Sequence, residues 1–224
     1  MLDFGYYNMD CMEGMKEFPD KYFELAIVDP PYGILNKTKR GGQRSPHKYS
    51  VRGELWDSQP TAEYWKELFR VSQNQIICGG NYFTDYLFPN NAWVFWYKHQ
   101  PVSNYADGEF IWTSFNDKQG RCFDYMYYGS INSESDRFHP TQKPVALYEW
   151  LLQNYAKQGD KILDTHVGSA SSLIACHNLG FQYVGFELDK EYYEQSLKRL
   201  ETAKKQVSIL DITKADNEQI VIGE

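Results

Sequence analysis

Lys161-Ile162-Leu163-Asp164-Thr165-His166-Val167-Gly168-Ser169-Ala170-Ser171-Ser172 is the stretch whose reading decides the fold class. Lys161 to Leu163 reads as a short strand with Asp164 at its tip, followed by a turn of small residues. Leu173 to Leu179 continues as a helix, and Gln182 to Phe186 is the next strand, ending in Glu187. Strand, turn, helix, strand and acid make one βαβ unit, the building block of a parallel sheet. Small side chains let a ligand approach the backbone, and the helix N-terminus favours an anionic or carboxylate group nearby. Glu187 lies 23 residues after Asp164, near the spacing at which an acid accepts from the hydroxyls of a ribose. The three-glycine pattern of a dinucleotide site is missing, which argues against NAD.

Upstream, His139-Pro140-Thr141-Gln142-Lys143-Pro144 precedes a helix on which Val145, Tyr148, Leu152 and Tyr155 keep one face apolar. Gly159 closes it. Further back, the apolar run Glu24 to Val28 reads as a buried parallel strand leading into Asp29-Pro30-Pro31-Tyr32. Ligands of open α/β sheets bind at the carboxyl ends of strands. The two prolines fix φ and cannot donate, so the carbonyl of Asp29 or Pro30 is held in one direction. Rigid acceptors beside the Tyr32 ring suit a planar base that carries an amino group. A plain proline turn with Tyr32 packed on the core fits the same four residues. Phe4 to Met9 is a first strand with Asp10 at its end, and Cys11 to Phe18 a short helix. Asp10 reads as a helix cap, a ligand contact, or both.

Gly33 to Gly53 changes character. It carries Lys37, Lys39, Arg40, Arg44, Lys48 and Arg52, with no acid until Glu54. A polar loop of this length is unusual in a compact domain unless it is functional or disordered. Six positive charges in an acidic protein suggest phosphate contacts; a solvated loop is the bland alternative. Thr61 to Val71 has helical spacing, with Tyr64, Trp65, Leu68 and Phe69. Gln75 to Cys78 is a strand ending at Gly79-Gly80, and Ala92 to Tyr97 and Glu109 to Phe115 are two more. Trp96 and Trp112 are expected in the core. Asn116 to Phe138 is polar and aromatic, and too short for a separate recognition domain. Asp189 opens a final helix with Tyr193, Leu197 and Leu200 on one face, and Ser208 to Glu224 shows no pattern.

At 224 residues the chain is expected to be one domain, residues 1–224, with an inserted basic loop at 33–55 and a short recognition region at 116–138. The net charge of -7 argues against a protein that coats nucleic acid without specificity. Cys11, Cys78, Cys122 and Cys176 are far apart and show no metal-ligand spacing, so a reducing compartment and no metal are expected. Neither a signal peptide nor a bilayer-length apolar run is visible, so the expected location is cytoplasmic, with no membrane partner.

Together these motifs resemble the amino-group DNA methyltransferases, and their order resembles the beta subgroup: target-base motif, recognition region, HPTQKP, cofactor loop. The resemblance spans roughly Asp10 to Arg199. It implies a doubly wound α/β fold, Rossmann-like with permuted motif order: a mostly parallel seven-stranded sheet with one reversed strand. It implies S-adenosyl-L-methionine as cofactor, double-stranded DNA as partner, and a setting in restriction-modification. Asp29, Pro30, Pro31 and Tyr32 would hold a flipped base, with Asp29 beside the cofactor. Asp10 and Cys11 would face the cofactor's adenine. Thr141, Gln142 and Lys143 would lie at its methionine end, with Thr141 and Lys143 on the carboxylate. Asp164, Thr165, His166, Val167, Gly168, Ser169, Ala170 and Ser171 would form the cofactor loop, and Glu187 and Leu188 would meet the ribose. The family usually has Asp-Pro-Phe where this chain has Asp164-Thr165-His166, and Gly-Ser-Gly-Thr where it has Gly168-Ser169-Ala170-Ser171. Asp rather than Ser before Pro-Pro resembles the adenine N6 enzymes. Cytosine N4 methylation, RNA adenine methylation and binding without turnover stay open, as does a homodimer.

Overall fold

The computed structural model describes residues 1–34, 57–101, 105–127, 138 and 141–221, with 207–221 as backbone. The basic loop Lys37 to Arg52, most of the 116–138 region beyond 127, and His139-Pro140 lie outside the described residues. The elements are β1 (Gly5–Asn8), α1 (Cys11–Lys16), β2 (Phe23–Val28), α2 (Ala62–Val71), β3 (Ser72–Cys78), β4 (Val94–Tyr97), β5 (Gly108–Thr113), β6 (Arg121–Asp124), α3 (Val145–Tyr155), β7 (Lys161–Asp164), α4 (Ser171–Asn178), β8 (Gln182–Glu187) and α5 (Lys190–Val221).

Among the described residues the strands form one sheet in the order β1-β8-β7-β2-β3-β5-β4-β6. β5 alone runs against its neighbours β3 and β4, while β6 pairs parallel with β4. The single reversed strand thus matches the expectation, but the sheet has eight strands rather than seven. The extra one is β6, inside the segment read as recognition region. Its four residues lie at the sheet edge with only Phe123 buried, so its composition is that of a loop.

Helices cover both faces because the strands alternate. Leu25 and Ile27 of β2 pack toward α3 with Leu147, Leu151 and Ile162. Ala26 and Val28 face the other way, against Met15, Tyr64, Trp65 and Leu68 of α1 and α2. Trp96 and Trp112 are buried, as expected. In α5 the covered face is turned slightly from the expected one: Tyr192, Ser196, Arg199 and Leu200 are buried. From the neighbours β2 and β7 the chain leaves in opposite directions, to β3 and to β8. Their carboxyl ends therefore diverge and leave a crevice, the usual ligand position in such sheets.

Candidate active site

The crevice is a cavity of about 710 Å³. Its walls come from the ends of β1 (Met9 to Met12), β2 (Asp29 to Tyr32), β7 (Thr165 to Ser169) and β8 (Phe186 to Asp189), with Thr141 to Lys143 ahead of α3. Segments more than a hundred residues apart in sequence thus meet, because parallel strands all end on one side of the sheet.

Asp29 lies at the centre of a buried polar chain. Its Oδ1 accepts from the Tyr32 hydroxyl at 2.6 Å, and its Oδ2 from Lys143 Nζ at 2.5 Å. Lys143 Nζ also reaches the Tyr32 hydroxyl at 3.1 Å and lies 3.5 Å from Glu109 Oε2. Lys98 pairs with the other Glu109 oxygen. Burial pulls the Lys143 ammonium down, but Asp29, Tyr32 and Glu109 outweigh it and hold it well above the ordinary lysine range. Burial raises Glu109, and Lys143 and Lys98 overcome this, leaving its carboxyl below the ordinary range. Lys143 thus lines the cavity with its ammonium on Asp29, where the resemblance implied a contact with the cofactor's methionine carboxylate. Tyr32 is stacked on Tyr82, ring centroids 4.8 Å apart and 18° from parallel. Gln59 Nε2 donates to the carbonyls of both tyrosines, at 3.0 Å and 3.3 Å.

The β7 turn is built differently from expectation. Asp164 is only 2 % exposed and stands behind the cavity wall. Its Oδ1 accepts from the His166 N–H at 2.9 Å and its Oδ2 from the Ser172 hydroxyl. Burial pushes its carboxyl up to about 7 despite these donors, with Asp29 and Glu187 adding like charge. Thr165, His166, Val167, Gly168 and Ser169 line the cavity, whereas Ala170 and Ser171 lie behind it. Ala170 adopts φ +63°, in the left-handed region, which costs an L residue roughly 1–2 kcal/mol. This is the position where the resembled family carries glycine. Tyr64 and Thr165 hydroxyls are 2.7 Å apart, and Thr165 Oγ1 is 2.9 Å from His166 Nδ1. Burial pushes the His166 imidazole down to about 4, so it is neutral at physiological pH.

Asp10 is both cap and wall. Its Oδ1 accepts from the Met12 N–H at 2.7 Å while the residue lines the cavity. Burial pushes the Cys11 thiol up to about 12, so it is no nucleophile. Glu187 Oε2 accepts from the Gly168 N–H and Oε1 from the Asp189 N–H, both at 2.9 Å, and burial raises its carboxyl. Leu188 is exposed at the rim, as is Thr141; Gln142 is buried and its carbonyl accepts from Tyr127 at 3.2 Å. Among the described lining residues, Asp10, Asp29, Asp57, Glu187 and Asp189 are carboxylates and Lys143 is the one ammonium. That donor set fits a cationic ligand bearing hydroxyls, as a sulfonium nucleoside is. Asp57 Oδ1 accepts from the Gly33 N–H at 2.8 Å. Among the described residues no cluster of three or more His, Cys, Asp or Glu could hold a metal ion, and no helix is long and apolar enough to cross a membrane.

Sequence reading missed Glu109, Lys98, Tyr82, Gln59 and Arg199. Arg199 Nη1 donates to the Ser169 carbonyl at 2.7 Å and to Ser171 Oγ at 3.0 Å. Ser171 Oγ donates in turn to the Lys143 carbonyl at 2.7 Å, which ties α5, the β7 turn and the Lys143 segment together. Glu109 alone left a signal: an acid on the same strand face as Ile111.

The DNA methylase family model matches residues 78–198, more than half of the chain. The Type II methyltransferase M2.DpnII of Streptococcus pneumoniae is 31% identical over 242 residues, covering 87% of this chain and 88% of that protein. Among solved structures, the Thermus thermophilus protein TTHA0409 in complex with S-adenosyl-L-methionine aligns with TM-score 0.55 at 19% identity, over 89% of this chain and 95% of that one. The cytosine-N4-specific PvuII DNA methyltransferase aligns with TM-score 0.59 at 12% identity, over 92% and 93%. Both share the fold. By its family match and its curated relative, the chain belongs to the DNA methylase family, the amino methyltransferases of adenine N6 or cytosine N4.

Proposed function

We propose that this protein transfers a methyl group from S-adenosyl-L-methionine to the exocyclic N6 of an adenine flipped out of double-stranded DNA. The observation that carries the reading is Asp29, held by the Pro30-Pro31 turn in the wall of a carboxylate-lined cavity. Asp10, Glu187 and the Thr165 to Ser169 turn would hold the cofactor, and Asp164 would shape that turn from behind. When bound, the cofactor supplies an electrophilic methyl group on sulfur.

The protein's part is to make a poor nucleophile competent. The lone pair of an exocyclic amino nitrogen is delocalised into the ring. The Asp29 carboxylate and the backbone carbonyl of Asp29 or Pro30 would each accept one N–H, which favours a tetrahedral nitrogen with an available lone pair. Preorganised acceptors of this kind act by positioning and electrostatics, with no covalent enzyme intermediate. After transfer the nitrogen sheds a proton, which the Asp29 carboxylate accepting its N–H would take. Tyr32, backed by Tyr82, gives the extruded base a stacking surface. The basic stretch Lys37 to Arg52 would bind phosphates.

Adenine is favoured over cytosine by Asp29 itself, since the sequence resembles the adenine enzymes there. The test is methyl transfer to unmethylated duplex DNA with wild type and Asp29→Ala, followed by digestion to nucleosides. N6-methyladenine from wild type and none from Asp29→Ala is the expected result. N4-methylcytosine as the product, transfer to RNA only, or full activity in the variant would each sink the reading.

A further inference from the structure

Asp29 faces the proposed base site with both oxygens already occupied, Oδ1 by Tyr32 and Oδ2 by Lys143. Each oxygen keeps a second lone pair, but an amino group that donates to Asp29 shares the carboxylate's charge with an ammonium 2.5 Å from Oδ2, which weakens Asp29 as an acceptor. The Tyr32 ring is confined by Tyr82 on one face and by the Gly79 backbone at its edge. Lys143 has somewhere to go. Glu109 Oε2, 3.5 Å from Nζ, is buried and makes no hydrogen bond. An ammonium carries three donors, and a shift of roughly 0.7 Å brings Nζ to charge-assisted hydrogen-bond distance of Oε2. A buried ammonium left without a carboxylate is costly; one handed from carboxylate to carboxylate stays paired throughout.

We propose that Glu109 is a positioning residue that draws Lys143 from Asp29 when a base docks, leaving the Asp29 carboxylate a stronger acceptor for the base's amino group. Lys98 holds the other Glu109 oxygen and lies 4.2 Å from the Trp96 ring centroid. It therefore competes with Lys143 for the same charge. The inference deepens the methyltransferase reading and rests on it.

The experiment compares wild type, Glu109→Gln and Lys98→Met in initial rates of methyl transfer to unmethylated mixed-sequence duplex DNA. Calorimetry with S-adenosyl-L-methionine and thermal melting accompany the rates. Glu109→Gln keeps the shape but loses the charge that draws Lys143 away. Its kcat/KM for DNA is expected to fall about tenfold or more, with cofactor affinity unchanged. Lys98→Met leaves Glu109 a stronger partner for Lys143, so its kcat/KM is expected at or above wild type. A mere brace in the fold would lose rate in both variants. Full kcat/KM in Glu109→Gln, or a loss in Lys98→Met as large as in Glu109→Gln, overturns the proposal. Should Glu109→Gln fail to fold, Lys98→Met decides: a rate at or above wild type supports the transfer, and a tenfold loss refutes it. A wild type that methylates no DNA refutes the functional reading instead, before any variant is compared.

Discussion

Gly79→Ala perturbs the base site from a residue outside the cavity wall. Gly79 directly follows β3 at φ +64°, where a side chain costs roughly 1–2 kcal/mol. A Cβ there would stand 2.4 Å from Tyr32 Cε1, 2.5 Å from Cζ and 2.8 Å from Oη. Ordinary contact needs the ring to withdraw by about 1 Å. The ring is not free to do so, with Tyr82 on its face and its hydroxyl donating to Asp29. Overpacking of this kind adds about 1–3 kcal/mol, for a total loss of about 2–5 kcal/mol. A displaced Tyr32 also releases Asp29 Oδ1, and a misplacement of about 1 Å at a reacting centre costs about a hundredfold in rate. Gly159→Ala is the matched control: φ is +93° and nothing lies within 4 Å of its Cβ. It carries the backbone penalty alone, about 1–2 kcal/mol, with the transfer rate unchanged. Denaturant unfolding and methyl-transfer rates at saturating cofactor measure both variants. A Gly79→Ala protein with the stability and rate of Gly159→Ala would show that Tyr32 is not seated against β3 and does not position Asp29.

Asp164 makes stability depend on pH. Its folded pKa of about 7 stands above the ordinary 3.8, so its contribution is full below about 3.8 and is lost as pH rises through about 7. The slope reaches about 1.4 kcal/mol per pH unit within that window. Asp164→Asn should gain stability relative to wild type as pH rises from 5 toward 7, roughly along that slope, and parallel unfolding curves would contradict this. Arg199→Met removes two charge-assisted hydrogen bonds from the β7 turn. It should cost about 2–4 kcal/mol in unfolding and weaken cofactor binding, read by calorimetry. Replacing Lys39, Arg40 and Arg44 together by Ala should weaken DNA binding and flatten its salt dependence by about one unit of slope per lost phosphate contact; an unchanged slope removes the loop from the interface.

The order of the elements was legible in the sequence because both periodicities are local. Lys161 to Glu187 alternates strand, turn and helix within 27 residues, and the buried runs of β2 and β3 could be nothing else in an α/β chain. Asp10, Asp29 and Glu187 were legible for the same reason: each stands at the end of a readable strand, and parallel strands deliver their ends to one crevice. β6 was not legible, because an edge strand with one buried side chain in four has the composition of a loop.

Which partner each side chain takes was decided only by the tertiary structure. Lys143 stands in a motif that pointed it toward the cofactor, yet its ammonium lies between Asp29 and Glu109, which come from strands β2 and β5. Asp164 ends its strand as read, yet it faces the inside of its own turn, because Ser172 and the His166 N–H satisfy it there. Packing of α5 lays Arg199 over the Ser169 carbonyl, a contact that no local pattern in the sequence announces. Strand ends are set by short-range pattern, so the chain itself determines where the chemistry sits. Ion pairing and burial depend on residues brought together across the sheet, so only the folded molecule determines which of those groups are charged, occupied or free to accept a hydrogen bond.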